Sequence, residues 1–231
     1  MQLTTETLAI LQNFAMINPN IVVEENTGKL KTVSEAKNIM AMADISEQID
    51  STFGIYDLNE FLSAIKLINK PMFTFDGTMI AVDSSSGTQG LNYFCSNPEI
   101  LTYPKKDIKD PEYEVTLKMD EGMLAQIKKA ASVLHCETVS LTKQADADSI
   151  WAVVSDPTNK SSNAYRAEVA TDEAFASLPA FSFDILIGNM KIVPGDYTLQ
   201  LSSRSISKWV LDSTSPITYW IALEKSSEYN A

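Results

Sequence analysis

Apolar residues along the chain recur at two spacings, three-to-four and two, and the switches between them divide it into helices and strands. Leu8, Ile10, Leu11, Phe14 and Ile17 predict an amphipathic helix over residues 4–17, with Thr4 or Thr5 as its cap and Glu6 in its first turn. Asn18-Pro19-Asn20 stops it, and "IVVEE", "KTV", "IMAMADI" and "FGIY" read as strands, with "NTGK" as a turn. A second helix runs from about Asp57 to Ile68, with Leu58, Phe61, Leu62, Ile65 and Ile68 on its apolar face and Pro71 beyond its end. "MFTF" and "MIAVD" are strands around an Asp76-Gly77 turn, and "LNYFC" is a third.

The pattern then lapses. "SNPEILTYPKKDIKDPEY", Ser96 to Tyr113, holds three prolines and a charge cluster without periodicity, as an ordered connector would. Periodicity returns in a third helix, Asp120 to Leu134, with Met123, Leu124, Ile127, Ala130, Ala131 and Leu134 facing inward. Strands follow at "ETVSLTK", "SIWAVVSD" and "AYRAEVA", then a fourth, shorter helix around Ile185 to Ile192. "GDYTLQLS", "SKWVLD" and "TYWIALEK" close the chain as strands. The order helix, strands, helix, strands thus occurs twice. The expected fold class is α+β. Two similar domains, 1–97 and 113–231, flank a connector at 98–112, and each packs two helices on one face of an antiparallel sheet. Such units leave strand edges open, and a head-to-tail contact whose rotation closes would pair them in a ring with the helices lining the hole.

Composition narrows the function classes. The chain has 231 residues, 45% of them apolar, without the run of about 18 that a membrane span needs. Its first residues lack the basic segment and cleavage site of a secretory signal, so a soluble intracellular protein is expected. With 18 basic and 30 acidic residues the net charge is −12, which disfavours nucleic acid unless the cations are gathered on one surface. The helix-borne lysines are Lys66, with Lys70 just after it, Lys128, Lys129 and Lys191. Acids stand mainly at helix starts: Glu6, Asp57, Glu60, Asp120, Glu121 and Asp184. The helix macrodipole favours that arrangement in any protein, at about 0.3–1 kcal/mol per charge. The same lysines could equally meet phosphates inside a ring.

No catalytic set emerges. Cys95 and Cys136 lie far apart and, with His135 the single histidine, give no zinc spacing; both read as reduced and partly buried. Asp146 with Asp148, and Asp172 with Glu173, read as exposed loop charge rather than metal or acid–base carboxylates. "SSSGTQG" lacks the ending of a phosphate loop and reads as a hairpin loop. Trp151, Trp209 and Trp220 all fall in strands, where core packing or a subunit contact outweighs base stacking. A protein without enzymatic activity, metal or cofactor is expected.

Four segments carry a resemblance: "LQNFAMIN" in the first helix, "IYDLNEFLSAIKLIN" in the second, "NMKIVPGDYTLQL", and the closing "YWIALE". In order and spacing the chain is similar to the sliding clamps, the DNA polymerase processivity factors, of tailed bacteriophages. The resemblance implies a homotrimeric ring around duplex DNA, set there by an ATP-driven clamp loader in the cytoplasm of an infected bacterial host. It implies tethering of the replicative DNA polymerase and, in some phages, support of late transcription. Lys66, Lys70, Lys128, Lys129, Lys191, Gln12 and Asn13 become the candidates for the DNA-facing surface; the first helix departs from a basic lining, holding no Lys or Arg. Partner tails in this family enter a pocket near the connector, which makes Leu101, Tyr103 and Pro104 candidates by location. The rival readings are a phage structural or assembly protein built from the same paired domains, and an acidic DNA mimic.

Overall fold

The structure, a computed structural model, describes residues 1–156 and 161–230. It divides into two compact units, Met1–Asp107 with Ser215–Ile217, and Ile108–Thr214 with Thr218–Ala231.

The first unit contains α1 (Thr5–Ile17), β1 (Ile21–Val23), β2 (Lys29–Val33), β3 (Ile39–Asp44), β4 (Phe53–Ile55), α2 (Leu58–Ile65), β5 (Pro71–Phe75), β6 (Met79–Ser84) and β7 (Gly90–Phe94). β1 pairs with β4, β2 with β3, and β5-β6-β7 form a meander, all antiparallel. Thr4 caps α1 by accepting from the Thr7 N–H. α1 packs on α2 and on β2 and β3, so it buries a wide arc that includes Ile10, Leu11, Phe14 and Ile17. Asp57 caps α2, accepting from Asn59 and Glu60, and the helix buries Leu58, Phe61, Leu62 and Ile65. It ends three residues short of Ile68. The Leu67 and Ile68 N–H groups reach back to Ala64 and Ile65, which tightens the last turn, and Lys70 turns the chain at φ +51° before Pro71.

A second cap for α1 comes from far along the chain. Glu47, 6% exposed, accepts from the Thr4 N–H through one carboxylate oxygen and from the Thr7 hydroxyl at 2.7 Å through the other. Burial pushes the carboxyl pKa up, but the hydrogen bonds from Thr4 and Thr7 outweigh it and hold it below the ordinary 4.5. A depressed folded-state pKa contributes stability above the unfolded value, lost as pH falls through the folded one. Glu47→Ala is therefore expected to destabilise the first unit by about 1–3 kcal/mol at pH 7, the cost of orphaning buried donors. The deficit should shrink in thermal melts taken progressively below pH 4.5; a pH-independent deficit would remove the carboxylate from the explanation.

The second unit contains β8 (Val115–Met119), α3 (Glu121–Leu134), β9 (Thr138–Lys143), β10 (Ser149–Val154), β11 (Tyr165–Thr171), β12 (Phe181–Leu186), β13 (Tyr197–Ser202), β14 (Ile206–Leu211), β15 (Ile217–Ala222) and β16 (Glu228–Tyr229). β11-β10-β9-β12-β16 form one antiparallel sheet, and β8, β13, β14 and β15 are neighbours in that order in another. Asp120 caps α3, which lays Leu124, Ile127 and Ala131 on β9 and β10 and ends at His135 in the left-handed conformation, φ 55°. Tyr197, Trp209 and Tyr219 meet edge-on in the core, with the Trp209 indole donating to Ser207 and the Tyr197 hydroxyl to the Val193 carbonyl.

The expected fourth helix is absent. Phe181–Leu186 is a strand paired with β9 over six residues, and a single 3-10 turn, Ile187–Asn189, follows it. Phe181, Phe183 and Ile185 alternate into the core and are held by the ladder, while Gly188 interrupts the apolar run. The plan of two helices on a sheet holds in the first unit; among the described residues the second keeps one α-helix, α3.

The connector is tied down at both ends. In the first unit Leu101 is buried, Asn18 donates to the Thr102 carbonyl, and Lys31 pairs with Asp107 at 2.7 Å. In the second, Asp110 accepts from Lys208, from the Trp220 indole and from the Tyr113 hydroxyl.

Candidate nucleic-acid interface

Gln12 stands on the exposed face of α1 beside Ala9 and Met16. Asn13 does not: it is 6% exposed, because α2 and the strands enclose α1 from two sides, and it leaves the set of candidates. Lys66 is exposed at the C-cap of α2, and Lys70 is exposed four residues on, so the turn into β5 carries both. Lys129 is exposed on α3 and Lys128 is half-buried, its pKa pushed down by burial. Lys191 is half-buried and lies past the 3-10 turn rather than on a helix.

Lys66, at the C-cap of α2, also suits the helix dipole, whereas Lys128 and Lys129 sit mid-way along α3, where that effect has faded, and so do not merely finish a helix. Asp184 also leaves the macrodipole pattern, since it is buried in β12 and accepts from the Ser226 hydroxyl. Among the described residues the ion pairs use Lys29, Lys31, Lys118 and Lys208, which leaves Lys66, Lys70, Lys128 and Lys129 outside them. Lys128 also borders an open cleft of about 640 Å³ with Ala131, His135, Leu186 and Gly188, beside the single turn that stands where a helix was expected.

Of the three docking candidates, Leu101 and Pro104 are buried, and Leu101 packs over Gly54, so both anchor the connector. Tyr103 stays half-exposed, with the Lys105 ammonium 5.9 Å from its ring centre.

β7 pairs with β6 and β11 with β10, and each is a terminal strand of its sheet, with β5 and β16 at the opposite ends. Phe94, at the end of β7, is 77% exposed, and Leu67 and Val133 are exposed as well. Sequence reading passed over Phe94, although "LNYFC" places large apolar side chains on both faces of a strand, which a one-sided sheet does not require.

The DNA polymerase processivity factor family matches residues 4–71. Similarity to individual proteins runs from end to end. The sliding clamp of Escherichia phage RB69 is 29% identical over 238 residues, covering 100% of both chains. That of Vibrio phage KVP40 is 27% identical, covering 97% of this chain and 99% of its own. In fold, the chain matches an A. fulgidus PCNA solved with the C-terminal region of FEN-1 bound, with a TM-score of 0.72 at 14% identity over 98% of each chain. The chain thus has an α+β clamp fold and is similar along its whole length to the sliding clamps of bacteriophages, while its residues 4–71 match the DNA polymerase processivity factors.

Proposed function

We propose that the chain is the subunit of a sliding clamp that encircles duplex DNA and tethers the replicative DNA polymerase for processive synthesis. The end-to-end similarity to phage sliding clamps carries this reading. Three copies join head to tail, the open β7 edge of one meeting the open β11 edge of the next, a heterologous contact that closes after three steps. Gln12, Lys66, Lys70, Lys128, Lys129 and Lys191 face the duplex and contact phosphates without reading bases. Retention is topological: leaving the DNA requires opening an interface, while sliding exchanges weak phosphate contacts. The −12 net charge keeps DNA off the remaining surface. In this reading an ATP-driven loader opens the ring in the cytoplasm of the infected host, partner proteins dock near Tyr103, and late transcription uses the same ring.

Light scattering across a dilution series is expected to give about three times 25.5 kDa. An assembly protein would instead grow past three copies, and a DNA mimic would stop at one or two. Replacing Lys66, Lys70, Lys128 and Lys129 together by alanine should leave the trimer intact. It should cut processive synthesis on a primed template roughly tenfold at physiological salt and flatten its salt dependence, since each lost phosphate contact removes about 0.9 from the log–log slope. Unchanged processivity would take these lysines off the DNA.

A further inference from the structure

The sheet face of the second unit turned away from α3 carries a built but incomplete aromatic site. Val139, Leu141, Ile150, Ala152 and Val154 point to the α3 side and are buried, so Ser149, Trp151 and Val153 point to the other. There the Arg166 guanidinium lies over the Trp151 ring, 4.7 Å from its centre, and the indole N–H donates to the Ser149 hydroxyl. Thr142, Gln144, Ala147, Ser149, Trp151, Val153 and Arg166 line a cavity of about 320 Å³. Among the described residues Arg166 joins no ion pair, unusual in a chain with 30 acidic residues, and the residue is exposed.

The complementary piece is on the first unit. Tyr93 points to α2, with its ring edge-on to Phe61 and its hydroxyl donating to the Asp57 carbonyl. Phe94 therefore points to the face away from the helix, beside Met79, its partner in the ladder. The terminal strand β7, and β10 with the terminal strand β11, thus carry these aromatic groups on the sheet face opposite the helices. Phe94 ends β7, and Arg166 is the second residue of β11. Antiparallel pairing sets the end of one strand against the start of the other, whereas parallel pairing would set Phe94 beside Thr171.

We propose that Phe94 of one copy closes the Trp151–Arg166 site of the next, stacking on the open side of the guanidinium. The inference rests on the ring reading and specifies its contact. Residues directly opposite in a ladder share a face, so Phe94 stands opposite Arg166 and Asn92 opposite Glu168. The cation lies between two π faces, a favourable arrangement once water is excluded. Arg166 has a role here that lysine fills poorly, since a planar guanidinium stacks and an ammonium does not.

The test pairs Asn92→Cys with Glu168→Cys in a chain whose own Cys95 and Cys136 are alanine, because directly opposed residues bring Cβ atoms within disulfide reach. Mild oxidation should yield covalent dimers and trimers on a non-reducing gel, with neither single-cysteine chain doing so. Arg166→Ala should raise the concentration at which trimers dissociate about tenfold, and Arg166→Lys should restore little of it. A trimeric mass without cross-links would overturn this contact while leaving the ring in place; a monomeric mass in the unmodified protein would overturn the ring itself. An Arg166→Ala trimer as tight as the parent's would leave the site to some other ligand and end the proposal.

Discussion

Phe94→Lys is expected to convert the proposed trimer to monomers at micromolar concentration, with the mass falling to 25.5 kDa and processive synthesis lost, while the fold persists. The side chain is 77% exposed in the isolated chain, so the substitution removes no core packing. What it removes is apolar burial at each ring contact, about 2 kcal/mol for a phenylalanine, and it sets a cation against Arg166. Over three contacts the loss is about 6 kcal/mol, roughly four orders of magnitude in the association constant. Light scattering together with circular dichroism separates the outcomes. A folded trimer would place the subunit contact elsewhere, and an unfolded chain would mean that Phe94 serves its own unit.

Gly54→Ala should have the largest effect on stability. A Cβ at this position would lie 2.6 Å from the Leu101 side chain and 2.7 Å from the Ser96 carbonyl oxygen. The Ser96 contact is backbone, held by a bridge in which the Ser96 N–H donates to the Gly54 carbonyl. It cannot swing aside as a long side chain would, and relief requires the start of the connector to lift from β4. A cost of about 2–4 kcal/mol is expected, within the range of overpacked cores. Hydrogen exchange should quicken at Ser96 and Leu101 as the melting temperature drops. If stability were unchanged and partner binding fell instead, Leu101 would belong to a docking surface after all.

The helices that the sequence announced clearly are those with local signals: a cap at Thr4, Asp57 or Asp120 followed by an apolar stripe. The segment from Phe181 to Ile192 misled because Ile185 and Ile192, seven residues apart, fall on one helical face, while Phe181, Phe183 and Ile185 fit a strand. The choice was made by β9, nearly forty residues earlier, which offers a ladder. Asn13 misled for a related reason. Periodicity gives the centre of a buried stripe, but its width depends on how many neighbours cover the helix. Lysine identities were legible and their environments were not, since the half-burial of Lys128 and Lys191 depends on what packs beside them in the folded unit. Trp151 was legible as a strand residue for core packing or a subunit contact, but its pairing with Arg166, and the exposure of Phe94, were out of reach. Their significance depends on strand register and on which edges stay unpaired, and both are properties of topology.

The long-range cap on α1 also bears on when this chain can fold. Glu47 lies 43 residues beyond the backbone N–H it satisfies at Thr4, and the Met1 amine donates to the Phe73 carbonyl, 72 residues away. At about 5–20 residues per second of translation, the helix waits roughly 2–9 s for its acidic cap and longer for the strand that fastens its leading end. Until then its broad apolar arc has only β2 and β3 to pack on, without α2 and without closure. Nascent chains arrested before residue 47 should engage holdase chaperones through α1, and release should come in two steps, as Glu47 and then Phe73 become available.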